Sequence, residues 1–170
     1  MKEDIKFNNF MKQLLLIRHA KTNDPFMFKK DFDRTLMERG IIDADAIANY
    51  LLEKEIPVDG FISSTAVRAM ATASIMANAY NKNVIEVDEL YHAGPHTFLN
   101  VIKQFDDSIN CAAVFAHNEG ITQFANILTE TKVDSMPTAS VFAVKCNIES
   151  WQQFTEKNNE FWFFKKPKEL

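Results

Sequence analysis

Arginine, cysteine and long apolar runs are all scarce in this chain, and each scarcity excludes something. Two cysteines in 170 residues, Cys111 and Cys146, leave no disulfide framework. Both fall in apolar stretches that read as strands, so they are expected to be buried thiols. No C-x-x-C or H-E-x-x-H spacing occurs, and neither a metal nor a cofactor is expected. No apolar run approaches the roughly 20 residues of a membrane-crossing helix, so no membrane partner is expected. The opening Met1–Phe10 is charged and lacks the apolar core of a secretory signal, which favours a cytoplasmic location. A net charge of −4 offers no basic face for nucleic acid, and Lys165-Lys166-Pro167-Lys168 reads as a solvated tail. Only four arginines occur, Arg18, Arg34, Arg39 and Arg68, against fifteen lysines. A chain that uses lysine for surface charge yet sets Arg18 and Arg68 at strand-to-loop and loop-to-helix junctions is using the bidentate guanidinium fork there.

What is present is an ordinary globular composition, 46% hydrophobic and 25% charged, in a length that suits one core. Residues 1–10 precede any pattern and read as a disordered extension; residues 11–170 read as a single domain. Apolar runs predict strands over 13–18, 60–63, 84–87, 111–117, 140–145 and 160–164. Helical patterns lie between most of them. Thr35-Leu36-Met37-Glu38 has the capping-box spacing, and Ile41, Ala44, Ala48 and Leu51 then recur on one face. Further helices fit 66–80, 95–105 and 120–129. This alternation predicts a three-layer α/β/α sandwich around a largely parallel sheet. The aromatic loop of Phe26, Met27 and Phe28 is expected to pack over the core, with the wall of a substrate groove as the alternative.

Three predicted strands end in chemistry. Leu14-Leu15-Leu16-Ile17 stops at Arg18-His19; Phe61-Ile62-Ser63-Ser64-Thr65 leads into a helix whose first turn carries Arg68; Cys111 to Ala116 stops at His117-Asn118-Glu119-Gly120. Open α/β sheets place ligands at the carboxyl ends of their strands. Guanidinium groups and a helix N-terminus favour an anion, and an imidazole serves as nucleophile, acid or base near neutral pH.

Taken in order, Arg18-His19-Ala20-Lys21-Thr22, Asp33-Arg34-Thr35-Leu36-Met37-Glu38-Arg39-Gly40, Ser63-Ser64-Thr65-Ala66-Val67-Arg68-Ala69 and Ala116-His117-Asn118-Glu119-Gly120 resemble the motifs of the histidine phosphatase superfamily, with its phosphoglycerate mutase-like fold. The short chain looks most like the SixA-type phosphohistidine phosphatases, which lack the large inserted subdomain of the mutases. The resemblance implies that His19 is the nucleophile and forms a transient phosphohistidine, while Arg18, Arg68 and His117 hold the phosphoryl oxygens. It also implies hydrolysis without a metal, with phosphohistidine on a protein as substrate. A small phosphomonoester is the alternative substrate, and a non-catalytic phospho-ligand module the alternative function. A phosphate or sulfate ion is expected to fit between these side chains.

Several residues stay open. Asn118 is read as a helix cap, with donation to phosphate as the alternative. Arg34 and Arg39 are read as braces of the loop and helix start, His92 and His96 as exposed loop residues. Two positions depart from the family pattern. Thr65 replaces the usual proline before Ala66-Val67-Arg68 and is expected to cap the helix; Glu119 replaces the proline after Asn118. Glu119 reads as a first-turn complement to the helix dipole. Repelling a doubly charged substrate, or donating a proton to a leaving group, are its alternatives, and Glu89 is the other carboxylate in the region.

Overall fold

The computed structural model describes residues 11–170; the predicted extension lies outside them. Six strands form one sheet in the order β3-β2-β4-β1-β5-β6. They are β1 (Lys12–Arg18), β2 (Gly60–Ser63), β3 (Val84–Glu86), β4 (Cys111–Ala116), β5 (Val141–Cys146) and β6 (Asn159–Lys165). The first four are mutually parallel, while β5 and β6 complete the sheet antiparallel. Continuous burial of β2 and β4 fits central strands covered on both faces.

The pleat sends successive side chains to opposite layers. Leu14 and Leu16 join Phe98, Ile102, Ile121 and Phe124 of helices α3 (Pro95–Ile102) and α4 (Gly120–Leu128). Leu15 and Ile17 join Ala44, Ile47, Leu51, Ala73 and Met76 of helices α1 (Glu38–Glu53) and α2 (Val67–Ala79). This is the expected three-layer sandwich. Both cysteines are buried thiols as expected, and they sit in different layers, Cys111 with α1 and α2, Cys146 with α3 and α4.

Four local expectations are corrected. Thr35 forms no capping box: α1 starts from an extended Met37 without a side-chain cap, and the Thr35 hydroxyl accepts from Asn23 Nδ2 at 2.9 Å instead. The buried stripe of α1 is Gly40, Ala44, Ile47, Ala48 and Leu51, so Ile41 is 49% exposed. Thr65 does not cap α2; the Ser64 hydroxyl accepts the Ala66 N–H at 3.3 Å. Phe26 and Met27 do not pack over the core, being 96% and 71% exposed on a short 3₁₀ turn. Among the described residues no helix is long and apolar enough to cross a membrane.

Candidate active site

Because β2, β4 and β1 are adjacent and parallel, their carboxyl ends share one edge of the sheet. The pairing runs just past the strands: His19 N–H donates to the Ala116 carbonyl at 3.1 Å and Ser64 N–H to the Phe115 carbonyl at 3.0 Å. Arg18, His19 and His117 are thereby set by sheet register. Arg68 enters from the first turn of α2, and Thr72, one turn further on, ties it to the sheet. The buried Thr72 hydroxyl donates to the Arg68 carbonyl at 2.8 Å and accepts the Ala20 N–H at 2.9 Å. On the other side Ala139, in the left-handed region with φ 58°, donates its N–H to the carbonyls of Arg18 and His19 at 3.0 and 3.2 Å.

These groups line a cavity of about 480 Å³ together with Lys21, Thr22, Asp31, Arg34, His92, Asn118 and Thr138. A second cavity of about 490 Å³ takes Glu89, with Glu86, Asp88 and the apolar Ile62, Val101 and Phe105. It contains no arginine or histidine, and Glu89 does not line the cavity that holds Arg18, His19, Arg68 and His117.

His19 is buried, and its partners assign its protons. The Ala20 carbonyl, which only accepts, lies 2.8 Å from Nδ1, so Nδ1 carries hydrogen. Nε2 is then unprotonated, and its lone pair accepts the Arg68 Nε–H at 3.3 Å. Burial, opposed by the Ala20 hydrogen bond and reinforced by Arg68, Arg18 and Arg34, lowers the imidazole pKa to about 4. The ring is neutral at physiological pH, the state a nitrogen nucleophile needs. His117, with its ring centroid 5.2 Å from that of His19, is lowered to about 3, chiefly by burial and then by Arg68 and His19.

The cations are arranged unequally. Arg18 donates through Nη1 to the Met136 carbonyl at 2.8 Å, and burial and then Arg68 lower its pKa from the ordinary value. Arg34 donates through Nη2 to the Thr22 hydroxyl and through Nη1 to Asp31 at 3.3 Å. It does brace the loop as expected, but it also lines the cavity. His117 Nε2 meets the Ser64 hydroxyl at 2.8 Å. Arg18 Nε, Arg34 Nε and His117 Nδ1 are buried and have no hydrogen-bond partner among the described residues. All three belong to residues lining this one cavity.

Asp31 is the residue the sequence did not single out. Its carboxylate accepts from Arg68 Nη2 and from the Tyr91 hydroxyl, both at 2.9 Å, and its carbonyl from Arg68 Nη1 at 2.7 Å. Desolvation raises its pKa, but the hydrogen bonds of Tyr91 and Arg68 and the charge of Arg68 outweigh it and hold the carboxyl at about 2. Asp31 thus fixes the guanidinium plane of Arg68. No local pattern marks it among the chain's acids, whereas the scarcity of arginine was a usable signal for Arg34.

Asn118 does not cap a backbone N–H. Its Oδ1 accepts from the Thr122 hydroxyl at 2.6 Å and its Nδ2 donates to Ser135 Oγ at 2.9 Å and the Met136 carbonyl at 3.3 Å, which locks the side chain at the cavity wall. Glu119 takes the N-cap position of α4, one residue before the first turn, and its side chain makes no cap bond. It is exposed and lines a small neighbouring cavity of about 140 Å³ with Tyr91, His92 and His117. His92 is exposed but borders both cavities. His96 is exposed on α3 and takes no part in the site, and Arg39 pairs with Asp43 at 2.8 Å within α1. Among the described residues no three His, Cys, Asp or Glu side chains gather as a metal-binding group.

Comparison with known proteins meets this geometry from outside. Residues 14–93 match the family model of the histidine phosphatase superfamily (branch 1). Uncharacterized protein ML1117 of Mycobacterium leprae is 29% identical over 116 residues, which is 66% of this chain and 71% of that protein. The crystal structure of SixA from Agrobacterium tumefaciens has the same fold, with a TM-score of 0.76 at 22% identity over 92% of this chain and 99% of that one. The protein histidine phosphatase SixA complexed with tungstate aligns at a TM-score of 0.74 and 17% identity, over 92% and 98% of the two chains.

Proposed function

The chain belongs to the histidine phosphatase superfamily, and from that premise we propose that it dephosphorylates phosphohistidine on a protein through a covalent phosphohistidine at His19. One observation carries the reading: the three unpartnered buried nitrogens of Arg18, Arg34 and His117 belong to residues that line the cavity in which His19 is neutral and unprotonated at Nε2. Of these, the Arg18 and Arg34 Nε–H groups are donors in any protonation state, buried donors demand acceptors, and a phosphoryl group supplies three equatorial oxygens. A fold neighbour that is a protein histidine phosphatase is complexed with tungstate, a tetrahedral oxyanion of the same shape.

The reaction runs in two in-line transfers. The His19 Nε2 lone pair forms a bond to phosphorus as the bond from phosphorus to the substrate imidazole breaks; that imidazole keeps the electron pair and takes a proton from solvent. Water then attacks phosphorus, the P–N bond to His19 breaks, its electron pair returns to Nε2, and inorganic phosphate leaves. Arg18, Arg34 and Arg68 oppose the charge on the oxygens throughout, so the work assigned to a metal elsewhere falls to guanidinium groups here. Asn118 contributes by holding the wall, with its amide spent on Ser135 and Met136.

The chemistry of the leaving group supports this choice of substrate. An alkoxide needs a general acid, whereas imidazole leaves with little help. Asp31, which lines the cavity, is ionised with its carboxyl held at about 2 and cannot donate a proton near neutrality; Glu119, in the small neighbouring cavity with His117, is the carboxylate left for that role with an alkoxide.

The test is a single turnover with a protein carrying ³²P-phosphohistidine. The expected result is an acid-labile label on the wild type, no label and no turnover in a folded His19→Ala protein, and rates that persist in chelator. Substantial His19→Ala turnover removes the nucleophile; faster turnover of phosphoserine or p-nitrophenyl phosphate than of phosphohistidine overturns the substrate.

A further inference from the structure

The chain is acidic overall, yet its arginines are not spread over it. Arg18, Arg34 and Arg68 line the catalytic cavity, and the fourth, Arg39, lines an adjoining groove of about 350 Å³. The groove shares Lys21 and Thr138 with the catalytic cavity, so the two adjoin. Its other cations, Lys166 and Lys168, come from the C-terminal 3₁₀ turn Pro167–Glu169 and the residue before it. Four cations therefore face one carboxylate, Asp43, in a protein whose net charge is −4. Two of them are already balanced, Arg39 by Asp43 at 2.8 Å and Lys166 by Glu169 at 3.3 Å. Lys21 and Lys168 take part in no ion pair among the described residues, and both are exposed.

Building on the protein-phosphatase reading above, we infer that this groove docks an acidic stretch of the protein that delivers the phosphoryl group to His19. The chemistry of the groove favours an extended acidic chain over a second small anion. Three of its four cations are lysines, mobile point charges, and the one guanidinium group is tied through Nε to Asp43 at 2.8 Å. A compact anion needs converging, preorganised donors, whereas carboxylates strung along a chain need only cations strung along a groove. Exposed pairs are individually weak and salt-screened. The groove should therefore act on encounter and KM, leaving the chemical step alone.

The experiment uses two phosphohistidine peptides of equal length, one carrying glutamates on both sides of the phosphorylated residue and the other glutamines in their place. For the wild type at low salt the acidic peptide should show a KM about tenfold lower with an equal kcat, and the gap should close near 0.5 M salt, where the screening length falls to a few ångströms. In the Arg39→Glu/Lys168→Glu double variant the gap should vanish or invert at unchanged kcat. Equal KM values in the wild type, or a gap that survives in the double variant, overturns the docking groove. Turnover of neither peptide, alongside turnover of their phosphoserine counterparts, overturns the substrate reading instead, and the groove is then decided by the same comparison made with the phosphoserine pair.

Discussion

At the scale of single residues, the site holds an imidazole neutral among guanidinium groups. An NMR titration of the His19 ring should give a pKa near 4 rather than the ordinary 6.5; a value at 6.5 would mean that burial and the arginines do not act on it. The same shift sets stability against pH. The unfolded imidazoles take up protons near 6.5, the folded ones only near about 4 for His19 and about 3 for His117. Their contribution is complete above 6.5 and is lost as pH falls from there toward those values. A urea midpoint followed over this range should fall less steeply in His19→Asn than in the wild type, and parallel curves would contradict the assignment. Arg68→Lys keeps the charge but loses both the Nε–H that meets His19 and the paired donors to Asp31, and kcat should drop about 10²-fold, the scale of one preorganised donor. Unchanged kinetics would place the guanidinium outside the reaction. The gathering of Arg18, His19 and His117 was legible because they stand at the ends of apolar runs, and that of Arg68 because it opens the helix that follows one. Asp31 was not, because its importance comes from a contact with Arg68 across 37 positions of chain, and nothing adjacent to it encodes that meeting.

At the scale of elements, α2 does two jobs: it delivers Arg68 and, through Thr72, anchors the loop that carries His19. Thr72→Val keeps the shape and strips the hydroxyl, leaving the buried Ala20 N–H without its acceptor. The expected loss is about 1–3 kcal/mol in urea unfolding, with a fall in kcat; a variant as stable and active as wild type would detach the loop from the helix. The start of α1 has a different constraint. A Cβ on Gly40 would stand 2.1 Å from the Lys21 carbonyl oxygen, so Gly40→Ala should push the helix off the strand-end loop and lower both stability and turnover. The strands and most helix spans were readable because burial imposes a period over many residues at once. Helix starts were not. The Thr35 and Thr65 hydroxyls suit capping, yet whether such a group meets a free N–H depends on the incoming backbone, which is set by distant packing. The phase of α1 failed for a related reason: Gly40 lies against backbone, and this turns Ile41 outward.

At the scale of the whole molecule, the site draws on β1, β2, β4, α2 and the 3₁₀ turn at Asp31–Asp33, elements spread from Lys12 to Ala116. No short fragment of the chain holds it, so oxyanion binding reports on the entire folded sheet. The unpartnered nitrogens of Arg18, Arg34 and His117 then carry a thermodynamic consequence. A tungstate or phosphate ion that completes their hydrogen bonds binds the native state alone, so it shifts the folding equilibrium by mass action, about 2.7 kcal/mol at a hundredfold excess over Kd. The melting temperature should climb with oxyanion concentration in the wild type and stay nearly flat in Arg68→Met; equal climbs would place the ion elsewhere. On the proposed mechanism, the covalent phosphoryl group on His19 would take the part of that ion during turnover. The phospho-enzyme should therefore be the most heat-resistant state in the cycle, and each hydrolysis event should return the protein to a looser, more easily unfolded form.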